Sequence, residues 1–207
     1  IRATIDATLS RVGLASQLPG GNESYVAFKR LLDTYATQQG RGVSGLNFFQ
    51  VTGAPNANAA RDFVLLKAMS DALALLASNE FAPAFANSTN LSDYRWGKLH
   101  RIVFDHPLRG PFDVPGQGLH GYTNLAPNLP GLARGGGYEA VDASSHNPRA
   151  NTLNGFMFGS GPARRFVGEM TPAIHAEQIY PGGQSGNLMN PGYTSQLDKW
   201  LINDYKP

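Results

Sequence analysis

Five histidines are the residues of this chain best suited to acid–base chemistry or to metal binding. His100 stands near Trp96 in a segment with strand-like alternation, and His146 lies in a polar segment rich in Ser and Asn. Each is a candidate for a substrate site. The favoured alternative is structural, with His100 bonded to backbone and His146 in a turn held by Ser and Asn side chains. The other three histidines lack the spacing of metal ligands, so they predict no metal site.

Two adjacent arginines, Arg164 and Arg165, lie in a predicted strand and therefore point to opposite faces. The one on the covered face should meet a carboxylate, either from the protein or from a ligand. Glu169 is the nearest candidate partner along the chain. A structural ion pair is the favoured interpretation.

The glycine clusters do not predict a phosphate loop or a serine nucleophile. Residues 135–137 are not followed by the Lys and Ser or Thr of a phosphate-binding loop, and no helix is predicted to begin there. Residues 182–186 (GGQSG) lack the pattern around a hydrolase nucleophile, because Gly follows the Ser directly. No Ser, Thr or Cys stands at position 1. These residues alone predict no complete catalytic set.

The composition of the chain limits the classes of protein to which it can belong. The chain has 207 residues and 42% hydrophobic content, enough for a real core. Its formal charge of +2 comes without a basic run, so no nucleic-acid partner is expected, and no apolar run is long enough to span a bilayer. The absence of Cys excludes disulfides and thiolate nucleophiles. The helical pattern begins at the first residue, as if the chain started in the middle of a helix. This suggests a processed chain or a fragment.

Helices are predicted in the first part of the chain. Apolar residues at helical spacing predict helices over residues 1–12, 25–38 and 57–78. Asn56 or Asn58 is expected to cap the third helix, whose apolar content suggests packing on more than one side. We also expect the isolated chain to be poorly soluble, because several phenylalanines lie in predicted loops. They are Phe48, Phe49, Phe81 and Phe85.

Strands are predicted in the second part. Alternating residues predict strands over residues 96–104 and 138–143, and two strands joined by a short connection within residues 155–186. A long Gly- and Pro-rich loop over residues 107–137 and a last helix over residues 194–202 complete the chain. The order predicts an α+β fold with antiparallel sheets, as one piece with a mainly helical layer over residues 1–92 and a strand-rich part over residues 93–207.

Three segments of the second half resemble the C-terminal part of the β chain in the penicillin acylase family of N-terminal-nucleophile hydrolases. The first is WGKLHR at residues 96–101, with HPL at 106–108. The second is GGYEAVDA at 136–143, followed by SGPARRFV at 160–167. The third and most specific is YPGGQSG at 180–186, with the closing PGYTSQLDKWL at 191–201. Ser195 stands where the family's closing motif has Asp. The helical first part is similar only as helices.

The resemblance implies a fold, an activity and partners. The family fold is an αββα sandwich, two antiparallel sheets between helical layers. Relatives hydrolyse amides of penicillins and cephalosporins, or acyl-homoserine lactones, through an acyl-enzyme on an N-terminal Ser whose own amino group acts as base. That Ser has no counterpart here, so no catalytic residue is carried over. The resemblance therefore implies a heterodimer with the chain that bears the Ser, made by autoproteolytic processing in a bacterial periplasm or secreted. It implies no cofactor in this segment and a structural calcium, if any, elsewhere in the enzyme.

We expect a C-terminal segment of such an amidohydrolase that binds a small acylated substrate together with the remaining chain. Five polar residues are candidates to line or support the pocket. They are His100, His146, Asn147, Ser160 and Arg164. A non-catalytic structural or assembly subunit is the alternative. A free-standing β-sandwich binding module is less favoured, because it does not explain the helical first third.

Overall fold

The computed structural model describes residues 21–114, 129–138 and 140–207. The predicted helix over residues 1–12, His120 and part of the predicted long loop lie outside these residues. The chain forms two compact units. The first comprises Ile1–Asp93 and Asn147–Gly155, and the second comprises Tyr94–His146 and Phe156–Pro207.

The helices of the first unit, within the described residues, are α1 (Gly21–Asp33), α2 (Tyr35–Gln38), α3 (Ala57–Leu76) and α4 (Ala82–Phe85). The second unit contains α5 (Trp96–Leu99) and α6 (Leu197–Ile202). Its strands are β1 (Arg101–Ile102), β2 (Leu132–Ala133), β3 (Arg165–Gly168) and β4 (Ala176–Ile179). β1 pairs with β2 and β3 with β4, both antiparallel. The predicted α+β class and antiparallel pairing are therefore confirmed. None of the described helices combines the length and apolar character needed to cross a membrane.

The predicted helix over residues 25–38 is divided into α1 and α2 at Thr34. A buried cluster of Leu31, Tyr35 and Phe49 holds the two helices to the following loop. The Tyr35 hydroxyl donates to the carbonyl of Ala57 at 2.6 Å, which ties α2 to the start of α3. Gly40 has φ +79°, and a Cβ there would collide with the Phe49 ring. Glycine at this position therefore allows Phe49 to be buried.

Two expectations for the first unit fail among the described residues: an exposed apolar patch of loop phenylalanines, and packing of α3 on more than one side. Phe48 lies in a loop as predicted and is partly buried, and the poor solubility of the isolated chain stays a prediction. Phe49, Phe81 and Phe85 are buried, since the segments that carry them fold back as a loop and short helices. By contrast, α3 presents Phe63 and Leu66 to solvent, 58% and 71% exposed. Its other side carries Val64 and Leu65, which pack on the cluster of α1 and α2. The helix is thus partnered mainly on one side within the described residues.

Asn56 is the N-cap of α3, and its Oδ1 accepts a hydrogen bond from the backbone N–H of Ala59 at 2.9 Å. We expect Asn56→Ala to lower the free energy of unfolding of the first unit by about 1 kcal/mol, because a first-turn N–H loses its partner. Urea unfolding monitored by circular dichroism measures the change. Asn58→Ala, at an exposed position within the same turn, is the matched control. Equal losses in both variants would contradict the capping role.

The predicted strand over residues 96–104 is wrong in its first half, which forms the helical turn α5 before β1 begins. Three contacts favour the turn. The indole N–H of Trp96 donates to the carbonyl of Gly136 at 2.9 Å. The Arg101 guanidinium donates to the carbonyls of Gly97 at 3.1 Å and Gly131 at 2.5 Å. The two long-range contacts, to Gly136 and Gly131, together with the local one to Gly97 outweigh the alternation of the sequence.

The predicted strand over residues 138–143 is also wrong. Its described residues form turns and bends, with a single bridge between Gly137 and Ala143. The Gly137 N–H donates to the carbonyl of Asp142, and the Ser144 N–H donates to that of Gly137, both at 3.2 Å. The segment therefore closes on itself as a loop. Gly136 and Gly137, with φ of 93° and 154°, permit this path.

The predicted pair of strands within residues 155–186 is confirmed as the hairpin β3–β4, with Arg165 opposite Ile179 and Gly168 opposite Ala176. Phe156 precedes it in a short 3₁₀ turn, Leu153–Phe156, rather than in a strand. The last helix is confirmed as α6, with Leu197 and Trp200 buried. The core of the second unit joins β1, β2, β4 and α6. Its buried members are Ile102, Val114, Leu132, Ile179, Leu197 and Trp200.

Candidate functional site

Aromatic and imidazole rings of the second unit pack into one group, here called the ring cluster. Trp96 and His100 stack in parallel, with ring centroids 4.9 Å apart and planes at 11°. His146 meets both edge-on, 5.0 Å from Trp96 and 5.6 Å from His100. Three further rings complete the cluster, those of Tyr138, Phe156 and Phe158. The structure therefore brings together two of the predicted site residues, His100 and His146.

The helical turn α5 places His100 one turn after Trp96, which explains their stacking. His100 is fully buried. Its Nδ1 lies 2.9 Å from the carbonyl oxygen of Arg134, which can only accept, so Nδ1 carries the proton. Nε2 is then the acceptor for the hydroxyl of Ser144 at 3.2 Å. The expected backbone bond of His100 is present.

A serine hydroxyl that donates to a neutral imidazole is the arrangement that activates a nucleophile. Here His100 is 0% and Ser144 is 5% exposed. No substrate carbonyl can reach the Ser144 oxygen while these side chains stay covered. The pair can orient the ring cluster and the loop before Ser144, but in this arrangement it cannot attack an amide.

Burial lowers the pKa of both cluster histidines. For His100, desolvation is the main cause, and the charge of Arg134 acts in the same direction, while the Arg134 carbonyl and Asp142 oppose it. For His146, desolvation lowers the pKa first and His100 adds to the shift. Among the residues that the structure describes, the buried Nδ1 of His146 has no hydrogen-bond partner. Both rings are therefore neutral at neutral pH, as their close packing requires.

These shifts predict acid sensitivity of the second unit. Below the unfolded-state pKa of about 6.5, the unfolded chain binds protons that the folded histidines reject, so the free energy of unfolding falls as pH falls. Above that pH the stabilisation that comes from the two neutral histidines is fully present. We expect His146→Gln to flatten this dependence between pH 7.5 and pH 5.5. Urea unfolding at the two pH values measures it.

Phe156→Leu is the matched control, since it removes a ring from the same cluster without removing a titratable group. We expect it to lower stability by the same amount at both pH values. A His146→Gln variant with the wild-type slope would contradict the assigned titration.

A second group, here called the arginine cluster, is formed by Arg134, Asp142, Arg165, Trp200 and Asn203. The Asp142 carboxylate bridges the two guanidinium groups, one on each oxygen. Both guanidinium groups also lie over the Trp200 ring, with Cζ at 4.2 Å for Arg134 and 4.9 Å for Arg165. Arg134 donates to the carbonyl of Leu201 at 2.8 Å. The cluster thus fixes α6 against the loop that carries Asp142.

The charges of this cluster are almost removed from water. The side chains of Arg134, Arg165 and Asp142 are 1%, 7% and 13% exposed. Burial raises the pKa of the Asp142 carboxyl, opposed by the charge of Arg134, and burial lowers the pKa of Arg134. Because two cations share one carboxylate, Asp142 is the group that compensates both.

The expected ion pair of a strand arginine is present, but the expected partner Glu169 is wrong. Arg165 turns inward and pairs with Asp142. Glu169 follows β3 at an exposed position, and its backbone N–H continues the hairpin by donating to His175. The nearest carboxylate in sequence is thus not the nearest in space.

The other three predicted site residues lie apart from the ring cluster in their described contacts. Asn147 belongs to the first unit, and its Oδ1 accepts from the N–H of Arg149 at 2.9 Å. Ser160 shares a hydroxyl contact of 2.8 Å with Ser145. Arg164 is exposed on the hairpin, with its Cζ 5.5 Å from the centre of the Phe166 ring.

Sequence reasoning missed Ser144, Arg134 and Asp142. Ser144 stands two positions before the candidate His146, and Asp142 lies in the GGYEAVDA segment, but neither position carries a local signal of its partner. Arg134 precedes three glycines and gave no sign of burial. Across the residues that the structure describes, no three His, Cys, Asp or Glu side chains come close enough together to hold a metal ion.

Comparison with known proteins gives one positive finding. The family model described as penicillin amidase matches residues 3–207. The match includes the helical first part as well as the segments that carry the resemblance. No curated protein and no solved structure gave a significant match. Because the family model covers nearly the whole chain, the protein belongs to the penicillin amidase family.

Proposed function

We propose that this chain is the C-terminal segment of a penicillin-acylase-like amidohydrolase that acts together with another segment bearing an N-terminal Ser. Family membership supports hydrolysis of amide bonds by an enzyme of the acylase kind. The match over residues 3–207 is the observation that carries the proposal. The substrates are acylated small molecules, such as β-lactam side-chain amides or acyl-homoserine lactones.

The proposed reaction is acyl transfer to the Ser of the partner segment. The Ser oxygen attacks the amide carbonyl while the α-amino group accepts its proton, the amine leaves with a proton, and water hydrolyses the resulting ester. The only Ser–His pair found in the described clusters is that of Ser144 and His100, and its burial argues against a second nucleophile. The chemistry is therefore assigned to the partner segment.

In this proposal the present chain has a structural role and supports the wall of the substrate pocket. Each cluster is closely packed around buried residues, His100 in the ring cluster and Arg134, Arg165 and Trp200 in the arginine cluster, which suits them to support a pocket wall. His100, His146, Asn147, Ser160 and Arg164 stay candidates to line or support that wall. The complete enzyme would be a processed heterodimer with an αββα sandwich, periplasmic or secreted in a bacterium. Its structural calcium, if present, would lie outside this segment.

Purification from the native source with intact-mass analysis and N-terminal sequencing tests the proposal. We expect a second chain that begins with Ser, and hydrolysis of acyl-anilide substrates by the complex. Treatment with a serine-reactive sulfonyl fluoride should add one label to that chain and none to Ser144. If no Ser-starting chain accompanies the protein and acyl-anilides are not cleaved, the proposal is wrong, and a structural or assembly subunit becomes the better description.

A further inference from the structure

The sequence contains a single Asn-Gly pair, Asn154–Gly155. An Asn followed by Gly loses ammonia readily, because no Cβ on the Gly shields the backbone nitrogen that attacks the side-chain amide. Asn154 is exposed, and among the described residues no hydrogen bond holds its side chain. The amide can therefore rotate towards the nitrogen of Gly155.

The backbone around this pair opposes the reaction. The pair lies in the 3₁₀ turn Leu153–Phe156, where the N–H of Gly155 donates to the carbonyl of Thr152 at 3.2 Å. Attack on the Asn154 amide requires this hydrogen bond to break and the backbone between Asn154 and Gly155 to rotate. A short 3₁₀ turn has poorer hydrogen-bond geometry than an α-helix, so it opens more easily. The reaction is thus slowed by the turn but not prevented by it.

Two further hydrogen bonds keep the turn closed. The backbone N–H of Leu153 donates to Oε1 of Glu80 at 3.1 Å, and the side chain of Leu153 is buried. At the other end, the carbonyl of Gly155 accepts from the N–H of Asn147 at 2.9 Å. Glu80 is 73 positions away from Leu153, so its carboxylate is a long-range tie on the reactive pair.

We propose that Asn154 is a site of spontaneous modification, converted to an isoaspartyl or aspartyl residue at a rate that Glu80 limits by holding the turn closed. The backbone nitrogen of Gly155 loses its proton and bonds to Cγ of Asn154. The bond from Cγ to the amide nitrogen breaks, and ammonia leaves with that proton. Water then opens the resulting succinimide ring at either carbonyl.

The net reaction consumes one water, releases one ammonia and changes no oxidation state. It requires no enzyme or cofactor. The inference is also independent of the proposed function, because it depends only on the geometry of this turn.

The isoaspartyl product should loosen the loop. It inserts one additional carbon into the backbone before Gly155. A Cβ on Gly155 would collide with the Cβ of Ala150, so Gly155 has little space in which to shift. We expect its carbonyl to lose the hydrogen bond from Asn147. The modification would therefore act on one of the candidates to support the pocket wall.

Incubation of the purified protein in mildly alkaline buffer, followed by peptide mass spectrometry, tests the site. We expect the peptide with Asn154 to gain the mass that marks replacement of NH₂ by OH, and isoaspartyl methyltransferase to label it. Asn151 is exposed in the same loop and precedes Thr, so it should stay unchanged and is the internal control. Asn154→Gln should abolish the change at this position.

Variants of Glu80 test the limit on the rate. Glu80→Ala should accelerate the modification about fivefold, the effect of one lost hydrogen bond on the population of the open turn. Glu80→Gln retains an acceptor oxygen and should react at close to the wild-type rate. Glu80 is exposed, so neither variant should prevent folding. Faster hydrogen exchange at the amide of Leu153 in Glu80→Ala would show directly that the turn has opened.

Hydrogen exchange at the amide of Asn147 tests the consequence. We expect faster exchange in the isoaspartyl form but not in Asn154→Asp, which carries the same charge without the additional backbone carbon.

Three results would overturn the inference. If Asn154 changes only when the chain is unfolded in urea, the folded turn forbids the reaction. Equal rates in the wild type and in Glu80→Ala would remove the role of Glu80. An equal change at Asn151 would show that the Asn154–Gly155 pair has no special reactivity.

Discussion

Replacing Asp142 by Asn is expected to lower the free energy of unfolding of the second unit by about 3–5 kcal/mol. The carboxylate compensates two guanidinium groups that are 1% and 7% exposed. Asn can still accept hydrogen bonds, but it brings no negative charge. Two buried cations beside the Trp200 ring would then lack the carboxylate that compensates them. The size of the effect comes from this uncompensated charge rather than from the two lost hydrogen bonds.

Urea unfolding followed by tryptophan fluorescence measures this loss, because Trp200 lies in the cluster. Asp105→Asn is the matched control, since Asp105 pairs with Arg109 while both side chains are more than half exposed. We expect little change there, and any change should vanish at high salt. The loss at Asp142 should persist at high salt. If the two substitutions have equal and salt-sensitive effects, the arginine cluster does not stabilise the unit as argued.

Elements governed by local sequence were the ones predicted well. The start of α3 is set by the side chain of Asn56 and by apolar residues at helical spacing within the same segment. The hairpin β3–β4 is likewise joined by a short connection, so its partners are close in sequence. In both cases the residues that decide the structure lie within a few positions of the element they decide.

Elements governed by distant contacts were predicted wrongly. Residues 96–99 alternate as a strand would, but the bond from Trp96 to Gly136 spans 40 positions and holds the segment as a turn. The loop before Ser144 depends on two glycines with positive φ and on its own backbone bonds. Nothing in a local pattern reports such contacts, since they depend on where the chain returns.

The site shows the same limit. The position of His100 beside Trp96 in sequence suggested that the two interact, and they stack. Its second partner, Ser144, is 44 positions away and has no sequence signal that joins it to His100. The physical argument that one arginine of the hairpin needs a carboxylate was sound, and Arg165 has one. The prediction that Glu169 is the partner was wrong, because residues that are close in sequence need not be close in the folded protein.

Replacing Trp200 by Ala is expected to destabilise the second unit by about 3–5 kcal/mol, through the loss of buried ring area and the cavity that remains. Trp200 is 1% exposed and lies in the core with Ile179 and Leu197. Its indole N–H donates to the carbonyl of Ala163 at 3.0 Å, and its ring contacts both guanidinium groups of the arginine cluster. The substitution therefore removes packing, a hydrogen bond and two cation–ring contacts together.

Two further variants divide this effect into its parts. Trp200→Phe retains an aromatic face for the arginines but leaves the Ala163 carbonyl without its donor, so we expect a smaller loss of about 1–3 kcal/mol. Ile202→Ala, at a position on the same helix that is 75% exposed, should change stability by no more than about 0.5 kcal/mol. Urea unfolding followed by circular dichroism ranks the three variants. A Trp200→Ala variant no less stable than Ile202→Ala would show that α6 does not close the core of this unit. If the losses of stability follow the expected order, Trp200 is the residue that links the arginine cluster to the apolar core.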